Sequence, residues 1–151
     1  MSKTVHLSLT GRQRGETGAE TAVKTVTTAE YYEKNGSIYI LYQESAEDAD
    51  THQKPGDAAS TRCRIKLKDG ILELIKTGAV NTRMVFEAGR EYLTDYATPY
   101  GCLKLGILTH ALSCSKRGGK MTIQIKYGLT SEGQLISDCE MEIRLTDAHF
   151  P

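Results

Sequence analysis

Residues 64–74 read Arg64-Ile-Lys-Leu-Lys-Asp-Gly-Ile-Leu-Glu-Leu74, two alternating runs joined by Asp69-Gly70. Asp-Gly between alternating apolar residues is a strong local signal for a two-residue β-turn, because both central positions need a positive φ. With that loop, Lys68 faces Ile71, Leu67 faces Leu72 and Ile65 faces Leu74, so one side of the hairpin is wholly apolar. Lys66 then faces Glu73 on the other side, an opposite-charge pair turned to water. Turn chemistry and alternation agree here, and the agreement sets both register and inner face.

The same period of two recurs along the chain. Val5, Leu7 and Leu9 alternate with His6, Ser8 and Thr10. Met121, Ile123, Ile125, Tyr127 and Leu129 form another apolar row, as do Cys139, Met141, Ile143 and Leu145. No window of helical length holds an apolar stripe free of glycine; residues 109–115 come nearest, with room for one helical turn. Further turns are expected at Asn35-Gly36, Gly118-Gly119 and Glu132-Gly133. About eight to ten strands follow, all of them antiparallel. Consecutive hairpins leave two exposed edges, and closing the sheet removes them. The expected architecture is therefore all-β, a single up-and-down barrel spanning residues 1–151.

Two hairpins need more thought. A two-residue Glu132-Gly133 loop would set Ile125 against Glu140 and Tyr127 against Asp138, which misaligns both apolar rows. A three-residue loop over 131–133 pairs Ile125 with Cys139, Ile123 with Met141 and Lys126 with Asp138, and is the expected form. In the strand before Gly118-Gly119, Leu103, Leu105 and Ile107 share one face whereas Leu108, His110 and Leu112 share the other. Either a bulge within 106–109 or a loop spanning 115–119 reconciles them. At Asn35-Gly36, a two-residue loop pairs Tyr31 with Ile40 and Ala29 with Tyr42 on an apolar face, and sets Tyr32 beside Tyr39 on the opposite one.

Composition narrows the class of function. The 151 residues carry 19 Lys+Arg and 19 Asp+Glu, so the basic excess with which nucleic-acid binders meet phosphate is missing. Arg62, Arg64, Lys66 and Lys68 do form a basic stripe, but without an aromatic stacking motif, and no nucleic-acid partner is expected. The N-terminus has no apolar signal core and no stretch reaches membrane-spanning length, so the expectation is a cytoplasmic protein with no membrane partner. Cys63, Cys102, Cys114 and Cys139 are widely spaced, which predicts free thiols and no metal site. His6, His52, His110 and His149 are scattered, and residues 11–18 (GRQRGETG) lack the Lys-Ser/Thr ending of a phosphate loop. No catalytic residue and no cofactor is expected. Residues 46–60, AEDADTHQKPGDAAS, read as one long polar loop.

Two stretches are more particular: residues 31–44, YYEKNGSIYILYQE, and residues 96–109, YATPYGCLKLGILT. With Gly78, Met84-Val-Phe86, Gly89 and Tyr127-Gly-Leu129 they resemble the bacterial YwiB-like family of uncharacterised proteins, over nearly the whole chain. The resemblance implies a calycin, that is, a lipocalin-like barrel, and brings no catalytic residues. The chain departs from that pattern in residues 46–60.

A calycin reading directs attention to the barrel interior and its rim. Eight tyrosines dominate the aromatic content, and an aromatic interior with polar tips suits a small ligand. Tyr42 is the candidate inside. Thr98-Pro99-Tyr100-Gly101 makes a corner that would set Tyr96, Thr98 and Tyr100 around the rim. Arg83 would anchor an anionic ligand if its strand face pointed inward, and Glu30, Glu33 and Glu44 are the acids available to pair with it. The expected function is the binding of an unidentified small molecule. The alternatives are an interaction protein or homodimer working through an exposed face such as Tyr32, Tyr39 and Leu41, and an enzyme using the barrel cavity.

Overall fold

The computed structural model describes residues 2–15, 18, 20–44, 60–78, 81–98 and 101–146, without the side chains of 96–98. Ten strands follow in chain order: β1 (Lys3–Gly15), β2 (Glu20–Lys34), β3 (Ser37–Glu44), β4 (Thr61–Lys68), β5 (Ile71–Gly78), β6 (Thr82–Glu87), β7 (Glu91–Thr98), β8 (Gly101–Arg117), β9 (Lys120–Ser131) and β10 (Gln134–Thr146). They form one antiparallel sheet in the order β6-β5-β4-β3-β2-β1-β10-β9-β8-β7. The sheet curls into a nearly closed barrel. Residues 109–115, the nearest approach to a helical pattern, are strand throughout. The polar stretch 46–60 lies outside the described residues except for Ser60.

Turn chemistry accounts for four of the hairpins. Asn35-Gly36, Asp69-Gly70, Gly118-Gly119 and Glu132-Gly133 each hold two consecutive residues at positive φ, between 52° and 82°. That is the mirror-image turn whose twist matches the strands it joins. At Asp69-Gly70 the register is the expected one, from Lys68–Ile71 through Ile65–Leu74. At Asn35-Gly36, Tyr31 pairs with Ile40 and Tyr32 with Tyr39. The Tyr32 and Tyr39 rings stack outside at 4.8 Å, while Ala29, Tyr31, Ile40 and Tyr42 are buried.

The last hairpin differs from the expected three-residue loop. Its loop has two residues, with Ser131 paired to Gln134, and the parity is corrected further along, by a bulge at Ile136. Ile125 therefore meets Met141 and not Cys139, Ile123 meets Ile143, and Lys126 meets Glu140 and not Asp138. The physical requirement was the same, one extra residue to bring both apolar rows to one face. The chain satisfies it inside the strand. The β8–β9 hairpin uses the same device. Its loop is the two-residue Gly118-Gly119, and a bulge at His110, one residue beyond the expected 106–109, transfers the inward role from Ile107 and Thr109 to Leu112.

Outside, Lys66 and Glu73 are cross-strand partners as expected, but Glu73 takes its ion pairs from Arg64 and Arg83. Lys66 sits 5.8 Å from the centre of the Tyr39 ring.

The barrel closes without a ladder. Among the described residues β6 and β7 are the two ends of the sheet order, although they follow one another in the chain. Side chains and one turn bridge them. Thr94 donates its hydroxyl to the Arg83 carbonyl and lies 3.2 Å from the Thr82 hydroxyl. The turn after β6 hooks onto β8 through Gly89 N–H to Thr109 O and Thr109 N–H to Arg90 O, at 2.8 and 3.1 Å.

Candidate functional site

Each strand's inward row divides into two halves. Towards the end where β2 meets β3 and β4 meets β5, the rows are solid: Leu7, Ile40, Leu72, Phe86, Ile107, Ile123, Ile143 and Leu145 have no more than 1% exposure. A polar cap covers this end. The Tyr31 hydroxyl donates to Glu33 at 2.8 Å, the Lys116 ammonium donates to the same carboxylate at 3.0 Å, and the Lys3 ammonium stands 5.4 Å from the centre of the Tyr31 ring. The Tyr31 hydroxyl and the Lys116 ammonium hold the Glu33 carboxyl below the usual carboxylate range. Half of the barrel is thus a plug of close-packed aliphatic side chains.

Towards the opposite end the same rows stop filling the space. A cavity of about 630 Å³ opens there. Its apolar wall includes Leu9, Leu74, Met84, Leu105, Leu129 and Met141. Val23 and Leu103 also line it and are 63% and 59% exposed, so their side chains stand in an open mouth. Tyr127 packs edge-on against Phe86 at 5.0 Å and marks the level where plug gives way to cavity. A volume in this range, apolar walls and few polar groups are usual features of small-molecule sites.

Among the described residues one charged pair stands inside this mouth. Lys76 follows Leu72 and Leu74 on the inward face of β5, opposite Cys63. Glu44 follows Ile40 and Tyr42 on the inward face of β3, opposite Thr61. The Lys76 ammonium donates to both oxygens of Glu44, at 3.0 and 3.2 Å, with side-chain exposures of 20% and 27%. On the facing wall, the Gln13 amide donates to the Ser137 hydroxyl at 2.8 Å.

A second opening lies in the wall. β2 pairs with β3 only over 30–34, so residues 20–29 run on paired with β1. A groove between the two strands is lined by Thr27, Ala29, Tyr42 and Cys63. The Tyr42 hydroxyl is buried there without a hydrogen-bond partner among the described residues, and burial, more than the neighbouring Cys63 and Glu44, raises it above the ordinary phenol range. Burial likewise pushes the Cys63 and Cys139 thiols up to about 11, so both are inert at neutral pH.

The expected site residues fare differently. Tyr42 faces inward as expected. Arg83 lies outside, exposed and paired with Glu73 at 2.6 Å, so the structure does not bring it to Tyr42. Tyr96 and Thr98 fall on the last part of β7, at register positions opposite Leu103 and Gly101 and hence at the mouth end; Tyr100 is outside the described residues. Of the acids weighed as partners for Arg83, Glu44 is the one inside, and its partner is Lys76. The signal for Lys76 was present, since period two from Leu72 and Leu74 carries it inward. Among the described residues no group of His, Cys, Asp and Glu is arranged to hold a metal ion. No helix there is long and apolar enough to cross a membrane.

A family model described as a domain of unknown function, DUF1934, matches residues 7–143. The chain belongs to the DUF1934 family. The match runs from β1 into β10 and so takes in both plug and mouth. Among solved structures, the chain is similar to the ywiB protein from Bacillus subtilis, with a TM-score of 0.78 over 96% of this chain and 92% of that one, at 19% identity. At that identity the likeness speaks for the barrel fold of this DUF1934 chain. Among curated proteins no match is found.

Proposed function

We propose that this DUF1934 barrel binds a small molecule in its open mouth, in the manner of a calycin. The observation that carries the reading is the asymmetry of the interior. Inward rows of one alternating sequence pattern hold, on eight of the ten strands, residues packed to less than 2% exposure at one end, and they leave about 630 Å³ open at the other. A barrel built only to be stable would fill both ends, since empty apolar space forfeits dispersion contacts. The charged groups facing into the mouth, Lys76 and Glu44, are paired with one another, which suits orientation of a ligand more than chemistry on it. Among the described residues all four cysteines are free thiols, in keeping with a reducing compartment such as the cytoplasm.

Native mass spectrometry of the full chain purified from its own host tests this. The expected result is an adduct of a few hundred daltons on the wild type that is missing from Leu105→Trp, a variant that places a large ring in the mouth. Circular dichroism of that variant should match the wild type. A bare chain in both proteins, or an adduct retained equally by both, overturns the reading.

A further inference from the structure

The charges within the mouth restrict the chemical class of what it holds. Among the described residues Glu44 and Lys76 are the cavity's inward-facing acid and base; Arg12 touches its margin from the outer face, where its register partner is Glu140. The interior of the mouth therefore sums to no net charge among the described residues. An ammonium has three N–H donors, and the hydrogen bonds of Lys76 among the described residues both go to one carboxylate. The pair is left with donor capacity on Lys76 and acceptor capacity on Glu44, side by side, on a wall otherwise lined by Leu74, Met84 and Leu105.

A ligand carboxylate that reached Lys76 would lie within a few ångströms of Glu44, in a cavity partly shielded from water. Like charges at that range oppose one another, and a buried charge without its own partner is costly. A ligand ammonium at Glu44 meets the same objection from Lys76. A carboxamide meets neither, because its carbonyl accepts from the ammonium while its N–H donates to the carboxylate, and it brings no charge. From this geometry we infer that the mouth selects neutral molecules with an apolar body and an amide head, read by the Lys76–Glu44 pair. The inference rests on the ligand-binding reading above and names the ligand class of that same site.

Isothermal titration of the full chain with octanamide, octanoate and octylammonium tests it, the three probes sharing one apolar tail. The wild type is expected to bind octanamide about tenfold more tightly than either ion. In Glu44→Gln the uncompensated ammonium should move the preference to octanoate, and in Lys76→Met the uncompensated carboxylate should move it to octylammonium. A wild type that prefers either ion, or that binds all three alike, overturns the amide assignment and leaves the mouth as a ligand site. An adduct seen by native mass spectrometry with no binding of any probe overturns the assignment alone; no adduct and no probe binding overturns both. The wild-type ranking decides by itself, so a variant that fails to fold leaves the test intact.

Discussion

Glu132 holds a backbone conformation that its side chain disfavours. Its φ is 52°, in the left-handed region that Asn35 and Asp69 occupy in the corresponding hairpins. Asparagine and aspartate tolerate that region because their short polar side chains bond locally, while a longer side chain lacks this compensation. Glu132 is exposed, so its replacement forfeits no packing. Glu132→Asn should raise stability by about 0.5–1 kcal/mol in urea denaturation, with the spectrum of the folded state unchanged. The expected three-residue loop at this hairpin came from the parity of its apolar rows, and the extra residue that parity requires is Ile136 inside β10. The ion pair in the mouth was more legible than it looked. Alternation alone carries Glu44 inward after Tyr42 and Lys76 inward after Leu74. What no alternation states is that two residues on strands separated by β4 come within 3.0 Å of each other.

At the scale of elements, the chain corrects parity with single-residue bulges rather than with longer loops. Ile136 and His110 are the extra residues, one in β10 and one in β8. The pairs on either side of Ile136, Leu135–Thr130 and Ser137–Leu129, already have the parity of an unbroken ladder. Deleting Ile136 should therefore leave a regular two-residue hairpin with Tyr127–Cys139 and Ile123–Ile143 still paired. We expect the deletion to fold, with a loss of no more than about 2 kcal/mol, and with near-ultraviolet circular dichroism of the wild-type shape. Collapse of that spectrum would show that the bulge itself is needed. Sequence patterning identified which residues of β10 face inward, and for β8 it gave two apolar faces to be reconciled. It could not identify which stretch of each inward row packs solid, because Leu7 and Leu9, or Ile107 and Leu105, are the same kind of residue in the same pattern. Plug and mouth are properties of the neighbours that each row meets across the barrel.

Among the described residues, the seam between β6 and β7 is the junction of the barrel wall that has no backbone ladder at all. Neighbouring strands elsewhere share a backbone ladder over at least part of their length, whereas here the Thr94 hydroxyl bonds across the gap to Arg83 and Thr82, assisted by the hook of Gly89 on Thr109. Thr94→Val keeps the shape and removes the hydroxyl, leaving the Arg83 carbonyl without this donor. It should cost about 1–3 kcal/mol, and hydrogen exchange should quicken in β6 and β7 while β9 and β10 stay protected. Uniform loss of protection would mean that the seam is not a separate line of opening.

The sequence by itself determined the class of fold, two of the four mirror-image hairpins and the inward face of most strands. Those follow from local rules: side chains alternate at a period of two, and paired positive-φ residues make a turn of one kind. Only the tertiary structure decided where the sheet stops pairing, at β6 and β7, which end of the barrel is filled, and that Glu44 finds Lys76 while Arg83 is left outside. These depend on curvature accumulated over ten strands, which brings residues distant in the chain to within a few ångströms, and no short window of sequence contains that distance.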